Sequence, residues 1–124
     1  MDINGKKFLI CDDSILARKQ IKDIVLEIGE PTIIEAVDGD KCVQAYKEHQ
    51  PDIVFLDIVM PIKDGNIAIE EIMGLDKDAL IIVVSSVGTQ SQLKCALEAG
   101  ATDFIQKPIY ETQVVDAINK YLKG

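Results

Sequence analysis

Polar side chains of complementary types follow the short apolar runs of this sequence, and together they could carry out phosphoryl transfer. Clustered carboxylates repel one another unless a cation compensates them, and Mg²⁺ favours a few carboxylate oxygens together with water and phosphate oxygens. A lysine ammonium and a serine hydroxyl can both donate to phosphoryl oxygens. The set therefore predicts a site that binds Mg²⁺ (or Mn²⁺) and transfers a phosphoryl group. Its members are Asp12 and Asp13 after the first run, Asp57 after the third, Ser85 after the fourth and Lys107 after the fifth.

Asp57 is the best candidate for the nucleophile, because it ends a central apolar run and can face both the acidic pair and Lys107. Attack by its carboxylate would form an acyl phosphate. We expect Asp13 to bind the metal directly, Asp12 to bind it directly or through a water, and the backbone carbonyl of Val59 to fill another position. The metal, the lysine and the hydroxyl would stabilise the equatorial oxygens of the transferred group.

The elements that position these side chains are predicted by five apolar runs that alternate with amphipathic stretches. Such alternation is typical of an α/β fold, here a flavodoxin-like doubly wound (βα)5 domain with a five-stranded parallel sheet and helices on both faces. Ligands of such sheets bind beyond the carboxyl ends of the strands, where the polar set lies. The apolar runs are 8–11, 32–37, 53–56, 80–84 and 104–105, and the helical stretches are 14–28, 41–48, 67–74, 93–100 and 114–122.

Local signals give some of the boundaries. Ser14 is a suitable N-cap for the first helix, and Gly29 is suited to end it. Asp38 and Gly39 indicate a turn after the second run. The length of 124 residues fits a single domain over residues 1–124.

Composition excludes several classes of function. A net charge of −8 argues against binding nucleic acid or an anionic membrane, because their phosphates repel an acidic surface. The three cysteines, Cys11, Cys42 and Cys95, form no Cys-x-x-Cys pair, so we interpret them as small apolar fillers in a reducing compartment. A signal-peptide pattern and a membrane-spanning apolar stretch are both absent from the sequence, and we expect a cytoplasmic protein.

The ordered set of motifs resembles the receiver domains of two-component signalling, especially small stand-alone chemotaxis regulators of the CheY type. The resemblance covers essentially the whole chain, and although each motif is weak alone, the series is highly specific. It is carried by Cys11–Ser14, Asp57–Pro61, Asp64–Gly65, Ser85–Ser86, Ala99–Ala101 and Lys107–Pro108.

The resemblance implies that Asp57 is the phospho-acceptor, that Asp12 and Asp13 are the acidic metal-binding pair, and that Lys107 is the lysine of the site. It also implies that Ser85 moves towards the phosphoryl group while Phe104, the switch aromatic, turns inward. Many chemotaxis members carry Tyr at that position, whereas Phe104 can fill the same pocket but offers no hydroxyl. In this family, the peptide bond between Lys107 and the following proline is cis.

Two further positions tune the lifetime of the phosphoryl group in this family, and both are valine here. Val59 lies two residues after Asp57, and Val87 lies two residues after Ser85. Neither side chain can orient an attacking water by a hydrogen bond. We therefore predict slow self-dephosphorylation and reliance on a separate phosphatase.

The resemblance implies a response regulator that is phosphorylated by a histidine kinase and is not itself an enzyme. With no output domain after Gly124, we expect the protein to act by binding a target such as the flagellar motor switch, and we expect it to be a monomer. Another phosphorelay, or an interaction module that works without phosphorylation, remains an alternative. A flavin-type cofactor binder is disfavoured because Asp12 and Asp13 repel phosphate without a metal, and a phosphohydrolase because no second aspartate lies two residues beyond Asp57.

Each residue also has an ordinary structural explanation. The acidic pair could favour the start of a helix through its dipole, and Lys107 could be a solvated surface lysine. Ser85 could cap the next helix, and Phe104 could be a core residue.

Overall fold

A computed structural model describes residues 3–86 and 89–122 of the chain. Strands and helices alternate from one end to the other, as the sequence predicts. The strands are β1 (Lys7–Cys11), β2 (Thr32–Ala36), β3 (Ile53–Leu56), β4 (Ile81–Ser85) and β5 (Asp103–Gln106), and the helices are α1 (Ile15–Ile28), α2 (Gly39–His49), α3 (Gly65–Leu75), α4 (Gln90–Ala99) and α5 (Glu111–Tyr121).

The strands form one parallel sheet in the order β2-β1-β3-β4-β5, which confirms the predicted doubly wound fold. The chain runs outward from β1 to β2 and then returns to the other side of β1, so β1 and β3 are neighbours at the point where the order reverses. This switch point is where open α/β sheets bind ligands. Cys11 pairs with Leu56 at the last register position, and the backbone N–H of Asp57 donates to the carbonyl of Cys11 at 2.9 Å.

The central strands are buried on both faces, which explains their continuous apolar sequence. Successive side chains of a strand point to opposite sides of the sheet, so β1 supplies Phe8 and Ile10 to one core and Leu9 and Cys11 to the other. The first core packs against α1 and α5, and the second against α2, α3 and α4. Both faces of the sheet are therefore covered, and its polar edge at the strand ends is left open.

The predicted signals at the ends of α1 are confirmed. The Ser14 hydroxyl accepts a hydrogen bond from the backbone N–H of Ala17 at 3.2 Å, and Gly29 is the C-cap. Because Ser14 directly follows the acidic pair, this cap fixes where the helix begins relative to the two carboxylates.

The predicted turn at Asp38 and Gly39 is wrong, because the same residues begin a helix. The Asp38 carboxylate caps α2 by accepting from the N–H of Lys41 at 2.8 Å, and Gly39 is the first helical residue. Aspartate suits both a turn and an N-cap, and the sequence does not separate the two. A Cβ at Gly39 would overlap the carbonyl oxygen of Lys63, so this position requires glycine for close approach of two backbone segments.

The cysteines divide into two environments. Cys11 and Cys42 are buried, as expected for apolar fillers, but Cys95 is exposed on α4, so the prediction is wrong for that residue. Helical spacing alone did not show that position 95 faces away from the core. Burial and the neighbouring thiol of Cys42 raise the pKa of the Cys11 thiol, which keeps it protonated and unreactive. Within residues 3–86 and 89–122, no helix combines the length and apolar character needed to cross a bilayer.

Candidate functional site

The polar residues singled out in the sequence lie at one edge of the sheet. Asp12 directly follows β1, Asp57 directly follows β3, Ser85 is the last residue of β4, and Lys107 directly follows β5. Parallel strands bring all these positions to the same edge, because every carboxyl end points the same way. The structure thus brings together the residues that the sequence predicted as a set.

Lys107 holds two of the carboxylates. Its Nζ donates to Oδ2 of Asp12 at 2.9 Å and to Oδ2 of Asp57 at 3.2 Å. Both aspartates are buried, whereas the lysine side chain is 24% exposed. Buried carboxylates need a charge partner, and one ammonium serves both here. A solvated surface role for Lys107 is therefore excluded by this geometry.

These contacts also set the protonation state of Lys107. Partial burial acts to lower the pKa of its ammonium, but the hydrogen bond to Asp12 and the negative charge of Asp57 act in the opposite direction and prevail. The net result is a pKa above the ordinary value for lysine. The site therefore keeps a positive charge at its centre throughout the physiological pH range.

Asp12 is fixed by partners on every side. Its Oδ1 accepts from the backbone N–H of Ser14 at 2.9 Å, and its own N–H donates to the carbonyl of Ala36 on β2 at 3.1 Å. Its backbone carbonyl accepts from Nη1 of Arg18 at 2.6 Å. The carboxylate is thus held in one orientation by the loop that leads into α1.

Asp57 is held by the loop that follows it. Its Oδ1 accepts from the backbone N–H of Val59 at 3.2 Å. The start of α3 packs close to this loop at Gly65, where a Cβ would lie 2.6 Å from the carbonyl oxygen of Asp57. Glycine is therefore needed at this position, because any side chain would push the helix away from the candidate phospho-acceptor.

The acidic residues fit a divalent cation. Asp12, Asp13 and Asp57 each offer one carboxylate oxygen, and the three oxygens all lie within 4.8 Å of one another. Asp13 is the exposed member of the group. Three ionised carboxylates with one ammonium leave two negative charges, which matches one divalent ion. Oxygen donors of this kind suit Mg²⁺ or Mn²⁺.

Ser85 and Phe104 lie on neighbouring strands, Ser85 at the end of β4 and Phe104 in the first half of β5. Ser85 is buried, and its backbone carbonyl accepts from the N–H of Lys107 at 2.9 Å. It does not cap the next helix, because Thr89 occupies that position. Phe104 is 37% exposed, so in this structure it is not a core residue. The peptide bond between Lys107 and Pro108 is cis, as the resemblance implied.

Exposed apolar side chains follow the acidic residues of the cluster along the chain. They come from the start of α1 and from the loop between β3 and α3. Ile62 is 82% exposed and has a φ of 71°, a conformation that β-branched residues rarely adopt. Val87, the second position predicted to tune dephosphorylation, lies outside the described residues. The exposed apolar residues are Ile15, Leu16, Val59 and Ile62.

Sequence reasoning missed Arg18. Its side chain is only 11% exposed and bonds both the carbonyl of Asp12 and Oε1 of Glu35 on β2. A single arginine on the polar side of a predicted helix resembles a solvated residue. Its position could have indicated this role, because Arg18 lies one turn after the cap Ser14 on the helix that begins at the acidic pair.

Comparisons with known proteins agree with this geometry. Residues 8–119 match the family model described as the response regulator receiver domain. The chemotaxis protein CheY of Thermotoga maritima is 46% identical over 119 residues, which cover 96% of this chain and 99% of that protein. CheY of Bacillus subtilis is also 46% identical, over 94% of this chain and 97% of that protein.

A solved structure supports the same similarity. A chain in the crystal structure of the CheX–CheY–BeF3–Mg+2 complex from Borrelia burgdorferi matches with a TM-score of 0.91 and 36% sequence identity. The match covers 98% of this chain and 92% of that one.

Proposed function

The chain belongs to the response regulator receiver domain family, and from this premise we propose that Asp57 accepts a phosphoryl group from the phosphohistidine of a histidine kinase. The observation that supports this most strongly is the position of Lys107, which bonds Asp57 and Asp12 at once beside the exposed Asp13. One ammonium among three strand-end carboxylates is suited to a site that must hold a cation and then accept a phosphate.

The proposed transfer uses the residues of this chain as follows. A carboxylate oxygen of Asp57 attacks phosphorus, the P–N bond of the donor breaks, and the imidazole leaves with the bonding electron pair. A divalent ion would be held by Asp12, Asp13, Asp57 and the carbonyl of Val59. When bound, it would neutralise negative charge on the phosphoryl oxygens. Lys107 then pairs with a phosphoryl oxygen in place of the carboxylate that it bonds in this structure.

Phosphorylation would be coupled to a partner-binding face through the last two strands. The Ser85 hydroxyl would move to donate to the phosphoryl group, and Phe104 would fill the space beside it. Phe104 pairs in register with Val83 of β4 and is half-exposed, so its ring is not held in the core in this structure. The face formed by α4, β5 and α5 would change as a result. Such a switch is a population shift, and it requires that the phosphoryl group stabilises one state more than the other.

Partners are proposed from the site and from the relatives. The exposed apolar residues that follow the acidic residues along the chain support docking of the kinase domain that carries the phosphohistidine. The similarity to CheY proteins supports a role in chemotaxis, with the flagellar motor switch as the target. A separate phosphatase would end the signal, because Val59 offers no polar group to an attacking water. We propose that the protein acts as a cytoplasmic monomer and turns over no substrate other than its own acyl phosphate.

Transfer to Asp57 is tested by incubating the protein with Mg²⁺ and a labelled phosphodonor. We expect the wild type to be labelled and the Asp57→Asn variant to stay unlabelled. Asp52→Asn serves as the matched control, since Asp52 precedes β3 and lies at the opposite edge of the sheet. Equal labelling of Asp57→Asn and wild type would contradict the assignment.

A different phosphorelay is the second candidate function, since the same site would serve it equally well. Binding of the beryllofluoride-treated protein to the motor-switch protein of its own organism separates the two. Tighter binding after treatment supports chemotaxis, and unchanged or absent binding supports the other relay. An interaction module that works without phosphorylation would show no change in its NMR spectrum on addition of beryllofluoride and Mg²⁺.

A further inference from the structure

We propose that Arg18 is a positioning residue that holds the acidic pair in the geometry needed to bind a divalent ion. This inference rests on the proposed function, because it assumes that Asp12 and Asp13 bind the ion. Arg18 itself touches neither the ion nor the phosphoryl group. It would act through the backbone of the loop between β1 and α1.

The carbonyl that Arg18 bonds belongs to the peptide group between the two acids. The guanidinium donates to this oxygen at 2.6 Å through Nη1. A peptide group is planar, so fixing the carbonyl of Asp12 also fixes the direction of the N–H of Asp13. The directions in which both side chains leave the backbone depend on this plane together with the adjoining backbone dihedral angles of Asp12 and Asp13. Arg18 therefore restricts the exposed Asp13, which is the carboxylate of the cluster most open to solvent.

The same guanidinium is anchored at its other side to the sheet. Nε of Arg18 lies 3.0 Å from Oε1 of Glu35 on β2, and the arginine side chain is only 11% exposed. An arginine fork presents its donors in a fixed plane, so a bond to Glu35 orients the group that bonds Asp12. The loop of the acidic pair is thereby tied to β2 as well as to α1.

If only its charge mattered, Arg18 would weaken the binding of Mg²⁺ by the acidic pair. A cation beside the acidic pair opposes the binding of a divalent ion, and its removal should strengthen binding if no positioning were involved. Glu35 reduces this repulsion because it neutralises the guanidinium at close range. The sign of the change in Mg²⁺ affinity therefore separates positioning from simple electrostatics.

The experiment measures Mg²⁺ affinity of the unphosphorylated full chain by titration calorimetry. Arg18→Met keeps the aliphatic stem but removes both hydrogen bonds, and we expect affinity about tenfold weaker than wild type, as is typical when a group that orients a metal ligand is lost. Arg18→Lys keeps a charged donor on a flexible stem, so we expect it to recover part of the loss. Lys22→Ala is the matched control, because Lys22 approaches Glu35 at 3.8 Å from the same helix without bonding Asp12.

The possible results of the titration distinguish failure of this inference from failure of the proposed function. Arg18→Met that binds Mg²⁺ as tightly as wild type, or more tightly, overturns the inference and leaves the proposed function intact. A wild type that binds no Mg²⁺ overturns both. A general effect on folding is separated by urea unfolding in EDTA and by the amide NMR shifts of Asp13 and Ser14. We expect Arg18→Met to remain folded at the titration temperature with these shifts altered. If Arg18→Met is unfolded, the Mg²⁺ affinity of Arg18→Lys decides: weaker binding than wild type supports the inference, and unchanged binding overturns it.

Discussion

The ammonium of Lys107 lies 3.2 Å from the Asp57 carboxylate, and this contact joins the ends of two strands that are not neighbours in the sheet. Lys107 directly follows β5 and Asp57 directly follows β3, with β4 between the two strands. The side-chain contact therefore spans the end of β4, where Ser85 lies buried. A change in the bonding of Asp57 can therefore alter contacts at the ends of β3, β4 and β5 together.

Removal of the lysine charge should destabilise the protein. In Lys107→Met, two buried carboxylates lose their shared partner, and we expect the free energy of unfolding in EDTA to fall by about 2 kcal/mol, less than for a fully enclosed pair because the lysine is partly exposed. Urea unfolding measures this. Lys94→Met removes a lysine that lies 3.9 Å from Glu98 on the surface and should change stability by less than about 0.5 kcal/mol. Equal losses in both variants would refute the special role of Lys107.

Mg²⁺ should stabilise the wild type and have little effect on Asp13→Asn. A ligand that binds only the folded state at a hundredfold excess over its Kd adds roughly 2.7 kcal/mol to the free energy of unfolding. In EDTA, Asp13→Asn should be at least as stable as wild type, because one of three adjacent like charges is gone. Urea unfolding with and without MgCl2 tests both statements. Asp78→Asn, an exposed acid outside the cluster, should respond to Mg²⁺ like the wild type.

Val59→Asn should shorten the life of the phosphorylated state several-fold. The valine side chain is exposed next to Asp57, and an amide in its place could orient a water for attack on phosphorus. Decay of labelled protein after removal of the donor gives the rate. Leu75→Asn makes a comparable change in an exposed apolar residue at the far end of α3 and should leave the rate unchanged. A decay rate in Val59→Asn equal to that of wild type would argue against this role.

The stability of the protein should decline at alkaline pH through Tyr46. Burial and the hydrogen bond from its hydroxyl to Asp76, at 2.9 Å, raise the pKa of Tyr46 above that of a free tyrosine. A raised pKa means that this contribution to stability is complete below about pH 10 and is lost as the pH rises further. Tyr46→Phe should be about 1 kcal/mol less stable than wild type near neutral pH. Urea unfolding across the alkaline range should show this gap closing, whereas a widening gap would contradict the assignment.

Relief of backbone strain at Ile62 should stabilise the fold. Its φ of 71° is unfavourable for a β-branched residue, and asparagine adopts this conformation more readily. Because the side chain is mostly exposed, little burial is lost, and we expect Ile62→Asn to gain about 1 kcal/mol in free energy of unfolding. Ile62→Val keeps the branched Cβ and should match the wild type. Identical stabilities for the two variants would show that strain is not relieved.

The fold and the grouping of the site residues followed from sequence because both depend on simple periodic rules. Continuous apolar runs indicated strands buried on both faces, and parallel strands place their carboxyl ends at one edge. Asp12, Asp57, Ser85 and Lys107 could therefore be assembled without coordinates. The predicted roles of these residues in phosphoryl transfer stay predictions until the labelling experiment is done.

Other features depended on three-dimensional detail that local sequence does not carry. The role of Arg18 is set by the position of Glu35, seventeen residues away on β2, and by the direction of one carbonyl. Asp38 could begin a turn or a helix equally well. Cys95 has an apolar residue type but lies on the exposed side of α4, which only the packing of that helix decides.

The close approach of Gly39 to the carbonyl of Lys63 limits how the loop after Asp57 can move. The backbone of α2 is a rigid stop on that side, and Lys63 is also tied by ion pairs to Asp40 on α2 and to Glu71 on α3. Because α2 blocks one direction, we expect the loop to rearrange away from α2 when the charge at Asp57 changes, which stretches the ion pair between Lys63 and Asp40. The absence of a side chain at Gly39 thereby sets the direction in which this loop can respond.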